Sequence, residues 1–338
     1  MSAIQLARFL RIDTMGASVT MVLLGAATAS SPLTPELVPG LFAVAVSFHV
    51  YAYLLNDVVD LPIDRTDPRR RQSPLVVGLI SRRTALTIAL AQIPILLLLT
   101  LWVGGGRGAV ATLIVLVLAV SVYDLFGKRF VVPPVTDLVQ GVAWAALGWL
   151  AAQLVGGATG WTVVLALYFL AFITLANGVH GSIRDLENDR RHGARTTATW
   201  FGAQVGPAGG VKVAGAYLIY ALLLQTVTIV LPFAPTALGW DEPRVLTLLA
   251  MAVVSLTSTW FLLMAARATD RHRQLVIGAR HLILVLGSVF LMVGARLPWW
   301  ALAGAVGFYV LPFAWYRWLF RPRPPPESHW TVQSSPSR

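Results

Sequence analysis

Polar residues are scarce along this chain and come in bunches, separated by long apolar runs. Ten runs can be marked, at about 14–30, 38–56, 84–103, 108–124, 136–155, 160–183, 208–232, 244–266, 276–294 and 298–319. A helix needs about 20 residues to cross the hydrocarbon core of a bilayer, and each run reaches or nears that length. In lipid a helix satisfies its own backbone polar groups, so the pattern predicts an all-α integral membrane protein, a bundle of up to ten transmembrane helices. Arg8 and Arg11 precede the first run as in a leader peptide, but Asp13 follows and many spans come later. The first run is therefore expected to stay as a permanent helix. Residues 1–320 are expected to form a single polytopic membrane domain. The basic tail 321–338, rich in Pro and Ser, is expected to be disordered.

Within this apolar frame one stretch stands out, Asn56 to Asp64, reading N-D-V-V-D-L-P-I-D. On a helix Asn56, Asp60, Asp64 and Asp57 fall at roughly 0°, 40°, 80° and 100° around the axis. Four oxygen-bearing side chains thus crowd one face of one helix end. Upstream, His49 and Tyr53 extend the same stripe, which must face the bundle interior or a watery cavity rather than lipid. A second cluster ends the sixth run: N-G-V-H-G-S-I-R-D-L-E-N-D, from Asn177 to Asp189. Asp185 and Asp189 lie one turn apart, with Ser182 on the same face. Between the two clusters, Tyr123, Asp124, Lys128 and Arg129 gather at the end of the fourth run.

Composition sharpens this picture. The chain is 57% hydrophobic and 12% charged, with a mean hydropathy of +0.71. Soluble domains carry about 25% charged residues, so a soluble fold is excluded. The net charge of +11 suggests nucleic acid at first sight, but the basic residues fall in alternate loops. Arg65 to Arg83, Lys128–Arg129, Arg184 to Arg195 and Arg267 to Arg273 share one side. That is the positive-inside pattern of a cell-membrane protein, with the N-terminus and both acidic clusters cytoplasmic. No nucleic-acid partner is expected. Topology or headgroup contact accounts equally for Arg69, Arg70, Arg190 and Arg191, and packing accounts for His49 and His180. The absence of cysteine removes thiolate metal sites and thiol nucleophiles.

Crowded carboxylates repel unless a cation lies between them. Carboxylate and amide oxygens without His or Cys are hard ligands that suit Mg²⁺, which often shares its shell with phosphate oxygens. Two such clusters ringed by Arg and Lys suit a diphosphate, and an apolar cavity between helices suits a lipid tail. A prenyl diphosphate ionised at the membrane surface meets both demands. Aromatic faces would stabilise its cation, with Tyr53, Trp144, Trp149, Tyr168 and Phe172 as candidates.

N-D-x-x-D-x-x-x-D at Asn56–Asp64 and R-D-x-E-x-D-R-x-x-G-x-R-T at Arg184–Thr196 resemble the two signature motifs of the UbiA superfamily of intramembrane prenyltransferases, which includes related membrane terpene cyclases. The Tyr123…Lys128–Arg129 segment is similar to a third family feature. The resemblance covers about residues 10–300. It implies nine transmembrane helices around a central cavity, capped by the two Arg-rich loops. It also implies that Asn56, Asp60 and Asp64 bind one Mg²⁺, with Asp57 as a further candidate ligand. Asp185 and Asp189 would hold a second ion or orient the acceptor, and Tyr123, Lys128 and Arg129 would contact diphosphate. Asp60, Asp64, Asp185, Asp189 and Tyr123 are the catalytic candidates; Tyr53 and Asn177 join the substrate-binding set.

Two positions depart from the family pattern. Where many members carry an Arg that reaches the diphosphate, this chain has Ser73, with Arg71 or Arg70 as nearby substitutes. Where many carry an acid or amide, it has Ser182. Three functions therefore stand side by side. One is Mg²⁺-dependent prenyl transfer to a hydrophobic, aromatic or quinone-like acceptor in the lipid membrane. Another is terpene cyclisation with no acceptor. The third is cation-coupled transport, for which acids near the midplane on broken helices would be the more natural arrangement.

Overall fold

Each of the ten apolar runs contains a helix in the computed structural model, which describes residues 1–242 and 244–319. The expected tail, 321–338, lies outside the described residues. A short helix α1 (Ala3–Phe9) bends by 52° into α2 (Ile12–Ala26). Then come α3 (Val38–Asp64), α4 (Arg82–Trp102), α5 (Arg107–Phe126), α6 (Pro133–Val155) and α7 (Gly160–Leu175). A π-helical segment, Ala176–Gly181, joins α7 to α8 (Ser182–Arg191). One turn, α9 (Thr197–Trp200), and a hairpin of β1 (Gln204–Val205) and β2 (Val211–Lys212) follow, with Gln204 opposite Lys212. The chain continues through α10 (Gly215–Val230), α11 (Ala234–Ala237), α12 (Val245–Arg267), α13 (Arg271–Val293) and α14 (Trp299–Leu319). Among the described residues eight helical segments are long and apolar enough to cross a bilayer, and the bent pair α1–α2 makes a ninth. The final helix α14 follows them.

The spans differ in depth. Two-thirds of the apolar window is buried in α6 and in the α7–α8 segment (67% each), against 22% in α4. The first two form the interior wall, whereas α4 turns Leu98 and Trp102 outward, where lipid replaces water. Lipid offers no hydrophobic drive for helix association, so small residues that permit close contact take over. Gly25 of α2 rests directly on the backbone of Gly148 in α6. A Cβ on Gly148 would stand 2.8 Å from the Phe169 ring of α7. Three helices therefore meet where two glycines let them.

Two local irregularities position the site. At the α1–α2 bend Arg11 adopts φ 48°, ψ 45°, the one positive φ outside glycine among the described residues. Left-handed backbone is costly for a residue with a Cβ and persists only where surroundings impose it. His49 does so from α3. Its Nε2 lies 3.1 Å from both the Leu10 and Arg11 carbonyls, while Nδ1 lies 3.1 Å from the Ser18 hydroxyl. Two carbonyl partners require the proton on Nε2. The second irregularity is the π-helix, whose wider turn disturbs the carbonyl ladder. The Tyr217 hydroxyl of α10 donates to the Gly178 and Val179 carbonyls at 2.7 and 3.0 Å.

Candidate active site

The C-terminal ends of α3, α5 and α8 converge, and a single ammonium marks the meeting point. Lys128, in the loop after α5, lies 3.0 Å from Asp60 Oδ2 and 3.3 Å from Asp189 Oδ1. The two acidic clusters, far apart in sequence, thus share one cation. Burial opposes the charge on Lys128, but the Asp60 and Asp189 carboxylates overcome it and hold the ammonium above the ordinary lysine range. Asp189 is 1% exposed, and its Oδ1 is within ion-pair distance of Lys128 without forming a hydrogen bond.

The long loop after α3 folds back over α8. Arg69 donates to Asp67 at 2.6 Å and to Asp185 at 2.7 Å, and Arg184 adds a bond to Asp185 at 2.9 Å. Asp67 also accepts from the Arg69 backbone at 2.9 Å, which fixes the 3-10 turn Pro68–Arg70. Burial alone would raise the Asp67 carboxyl, but the Arg69 hydrogen bonds hold it below its usual value. Asn188 of α8 donates to the Ile63 carbonyl at 3.2 Å and accepts from Thr66 at 3.1 Å. Arg70 stands 3.7 Å from Asp64.

Between these ends lies a cavity of about 550 Å³, part of it open to solvent. Asn56, Asp60, Tyr123, Lys128, Asp185 and Asp189 line it. Asn177 joins them from the π-helix and donates to the Gln140 side chain of α6. Asn56 also donates to Asp124 Oδ1 at 3.3 Å. A second recess shares Asp60 and Lys128 with the first and adds Arg129 and His192.

Other predicted residues lie elsewhere. Asp57 turns aside from the cluster into a forked pair with Arg11, with Arg70 4.0 Å away. Tyr53 lies beneath the Arg11 guanidinium, 5.4 Å from ring centroid to Cζ, and against His49 at 4.3 Å. Arg71 is exposed, with no ion pair among the described residues. Of the candidate aromatics, Trp144 packs edge-on against Phe48 at 5.1 Å, and Tyr168 is fully buried against Phe172, its hydroxyl 3.0 Å from Ser288. Both are core residues here. Sequence reasoning passed over Arg69 and Arg184 as site members, since a run of arginines beside a span is explained by topology alone. It passed over Asp137 as well. The available signal there was an acid one turn inside an apolar span.

Among the described residues no three His, Asp or Glu side chains close on a common point as a ready metal site. Lys128, Arg69, Arg70 and Arg184 supply the counter-charge instead. The donor set nevertheless fits a hard divalent cation. It is all oxygen, and two buried carboxylate oxygens, Asp189 Oδ1 and Asp124 Oδ2, have no hydrogen-bond partner.

The fold has solved counterparts. A structure of digeranylgeranylglyceryl phosphate synthase superposes with a TM-score of 0.64 at 17% identity, covering 89% of this chain and 97% of that one. A UbiA homologue from Aeropyrum pernix gives 0.60 at 19% identity, covering 85% and 97%. A UbiA homologue from Archaeoglobus fulgidus, bound to GPP and Mg²⁺, gives 0.58 at 16%, covering 84% and 99%. No curated protein matches by sequence. Identities this low speak for the fold alone. The family model of the UbiA prenyltransferases, however, matches residues 17–277, a stretch that contains both acidic clusters and the Lys128 bridge between them, and the chain therefore belongs to the UbiA prenyltransferase family.

Proposed function

We propose that this protein transfers a prenyl group from a prenyl diphosphate to a hydrophobic acceptor within the membrane, in a Mg²⁺-dependent reaction. The observation that carries this reading is Lys128, held at 3.0 and 3.3 Å between carboxylates of two separate acidic helix ends. A site that gathers oxygen ligands and cations around one opening suits an anion bound through metal bridges. Asn56, Asp60 and Asp64 would hold one Mg²⁺, and Asp185 with Asp189 a second. Bound Mg²⁺ supplies neutralisation of the diphosphate and eases its departure. Lys128, Arg69 and Arg184 clamp the same oxygens once the substrate displaces their present carboxylate partners, and Arg129 joins them from the adjoining recess. Tyr123 and Asn177 border the cavity and orient the substrate there. The apolar interior beyond holds the tail. The Archaeoglobus homologue bound to GPP and Mg²⁺ supports the substrate class. The clustering of Arg and Lys beside the acidic ends supports a cytoplasmic site.

The test uses purified protein, Mg²⁺ and prenyl diphosphates of several chain lengths, with and without aromatic or quinone-like acceptors. Expected are Mg²⁺-dependent diphosphate release and a prenylated acceptor, both lost in Asp60→Ala and in Asp185→Ala. A cyclic hydrocarbon formed without acceptor would select the cyclase instead. Absence of release at every chain length would remove both enzyme readings.

A further inference from the structure

Asp137 lies in the first turns of α6, where the charged cluster gives way to the apolar interior. It is 7% exposed and borders the same cavity as the two acidic motifs. Every other acid on that wall has a nitrogen partner. Asp60 and Asp189 share Lys128, Asp185 holds Arg69 and Arg184, and Asp124 accepts from Asn56. Asp137 has none. The Thr197 hydroxyl donates to its Oδ2, and Oδ1 has no hydrogen bond among the described residues. Oδ1 is therefore left to the cavity that Asp137 lines, which gives this carboxylate a free face toward whatever the cavity holds.

The surroundings leave room for it to act. Gly178 of the π-helix faces Asp137 closely, so that a Cβ there would stand 2.6 Å from Asp137 Oδ2 and 3.1 Å from the Tyr220 hydroxyl. That hydroxyl is buried and has no partner of its own. Along α6, Gln140 comes next and takes the Asn177 amide; Trp144 follows, packed on Phe48. Along α6 the side chains thus run from charge to neutral amide to hydrocarbon, from the cavity into the core. A diphosphate at Lys128 with its tail in the apolar interior would bring its reacting carbon into the cavity that Lys128 and Asp137 both line.

We infer that Asp137 is the general base that takes the proton the acceptor sheds as the new bond forms. The inference rests on the prenyl-transfer reading above. In that reaction the allylic C–O bond breaks, and its electron pair leaves with diphosphate. An electron pair of the acceptor forms the new bond to the prenyl carbon. The proton then lost by the acceptor passes to Asp137, and from there to water in the open cavity. An acid bound to Lys or Arg has its charge already neutralised and is a poor proton acceptor, and Asp124, which also lacks a cation, is tied to the Asn56 amide; Asp137 carries no nitrogen partner of either kind.

The experiment separates ionisation from transfer. Native protein, Asp137→Asn, Asp137→Glu and Thr197→Val are each given Mg²⁺, prenyl diphosphates of several lengths and acceptor, and diphosphate release and prenylated product are measured separately. General bases contribute about 10²–10⁴-fold. Asp137→Asn is expected to lose about that much prenylated product while diphosphate release continues, with prenyl alcohol formed by water taking its place. Asp137→Glu is expected to recover part of the transfer. Thr197→Val removes the one hydrogen bond that the Asp137 carboxylate accepts among the described residues but keeps the carboxylate, and it should retain transfer. Unchanged product in Asp137→Asn overturns the inference. So does parallel loss of release and product, or a Thr197→Val variant as defective as Asp137→Asn, since either would make Asp137 a structural residue. If native protein releases no diphosphate, the prenyl-transfer reading itself fails, and the base role goes with it.

Discussion

The Arg11–Asp57 pair offers a direct test of how the first acidic cluster divides its labour. Asp57 belongs by sequence to the metal-binding candidates, yet the fold commits it to Arg11, 46 residues away, through Nε–Oδ2 at 3.0 Å and a second bond from Nη2. Arg11 is half-buried and Asp57 buried, with side chains 15% and 9% exposed. The substitution Asp57→Ala would leave the guanidinium buried without its carboxylate. Arg70 adds only like charge in the same region, and the remaining carboxylates near Arg11, Asp64 and Asp13, make no ion pair with it among the described residues. Breaking a buried pair from one side costs about 3–5 kcal/mol, roughly 10²- to 10⁴-fold in the unfolding equilibrium. Arg11→Gly should cost less, because glycine also relieves the left-handed backbone by about 1–2 kcal/mol. The double variant should lose less than the sum, with a coupling of about 0.5–3 kcal/mol. The assay is reversible unfolding of the purified protein in detergent, beside Mg²⁺-dependent diphosphate release on the folded fraction. An Asp57→Ala protein of native stability that no longer responds to Mg²⁺ would refute the reasoning and return Asp57 to the metal ligands.

Three further outcomes are expected. Lys128→Met leaves Asp60 and Asp189 facing each other without their shared cation, so its thermal midpoint without Mg²⁺ should drop and recover with added Mg²⁺ more than the native midpoint does; a midpoint indifferent to Mg²⁺ counts against a metal site between these acids. Arg69→Ala should reduce diphosphate release by about 10-fold or more, through a lost charge-assisted contact of roughly 1.5–3 kcal/mol, while Arg71→Ala leaves release unchanged within error. The opposite order in a side-by-side kinetic assay would reassign the loop's functional arginine. Gly148→Leu must push into the Phe169 ring and the α2 backbone, an overpacking worth about 1–3 kcal/mol or more. A variant with native thermal stability would show that the α2–α6–α7 crossing tolerates a wider separation.

Much of the architecture was legible in the sequence because lipid is a strict solvent. It forbids unpaired backbone groups, so apolar run length translates into helices with little ambiguity. Helical periodicity likewise placed Asn56, Asp60 and Asp64 on one face, and Asp185 with Asp189 on another, before any tertiary contact was known. The arginine loops were harder. Arg69, Arg70 and Arg71 are consecutive and chemically identical, and charge bias alone treats them alike. Which one meets Asp185 depends on the turn that Asp67 caps and on α8 lying across the loop, 116 residues away.

The sequence by itself determined a membrane-spanning helical protein with two acidic helix ends and a hard-ligand chemistry, since composition and local spacing carry that information. Only the tertiary structure decided that those ends meet around Lys128, that Asp57 leaves the cluster for Arg11, that a π-turn delivers Asn177 and Gly178 to the cavity, and that Asp137 completes its wall. Each of those outcomes depends on which long-range partner reaches a side chain first. A buried charge takes the partner that the packed backbone brings within about 4 Å, and no local pattern encodes that distance.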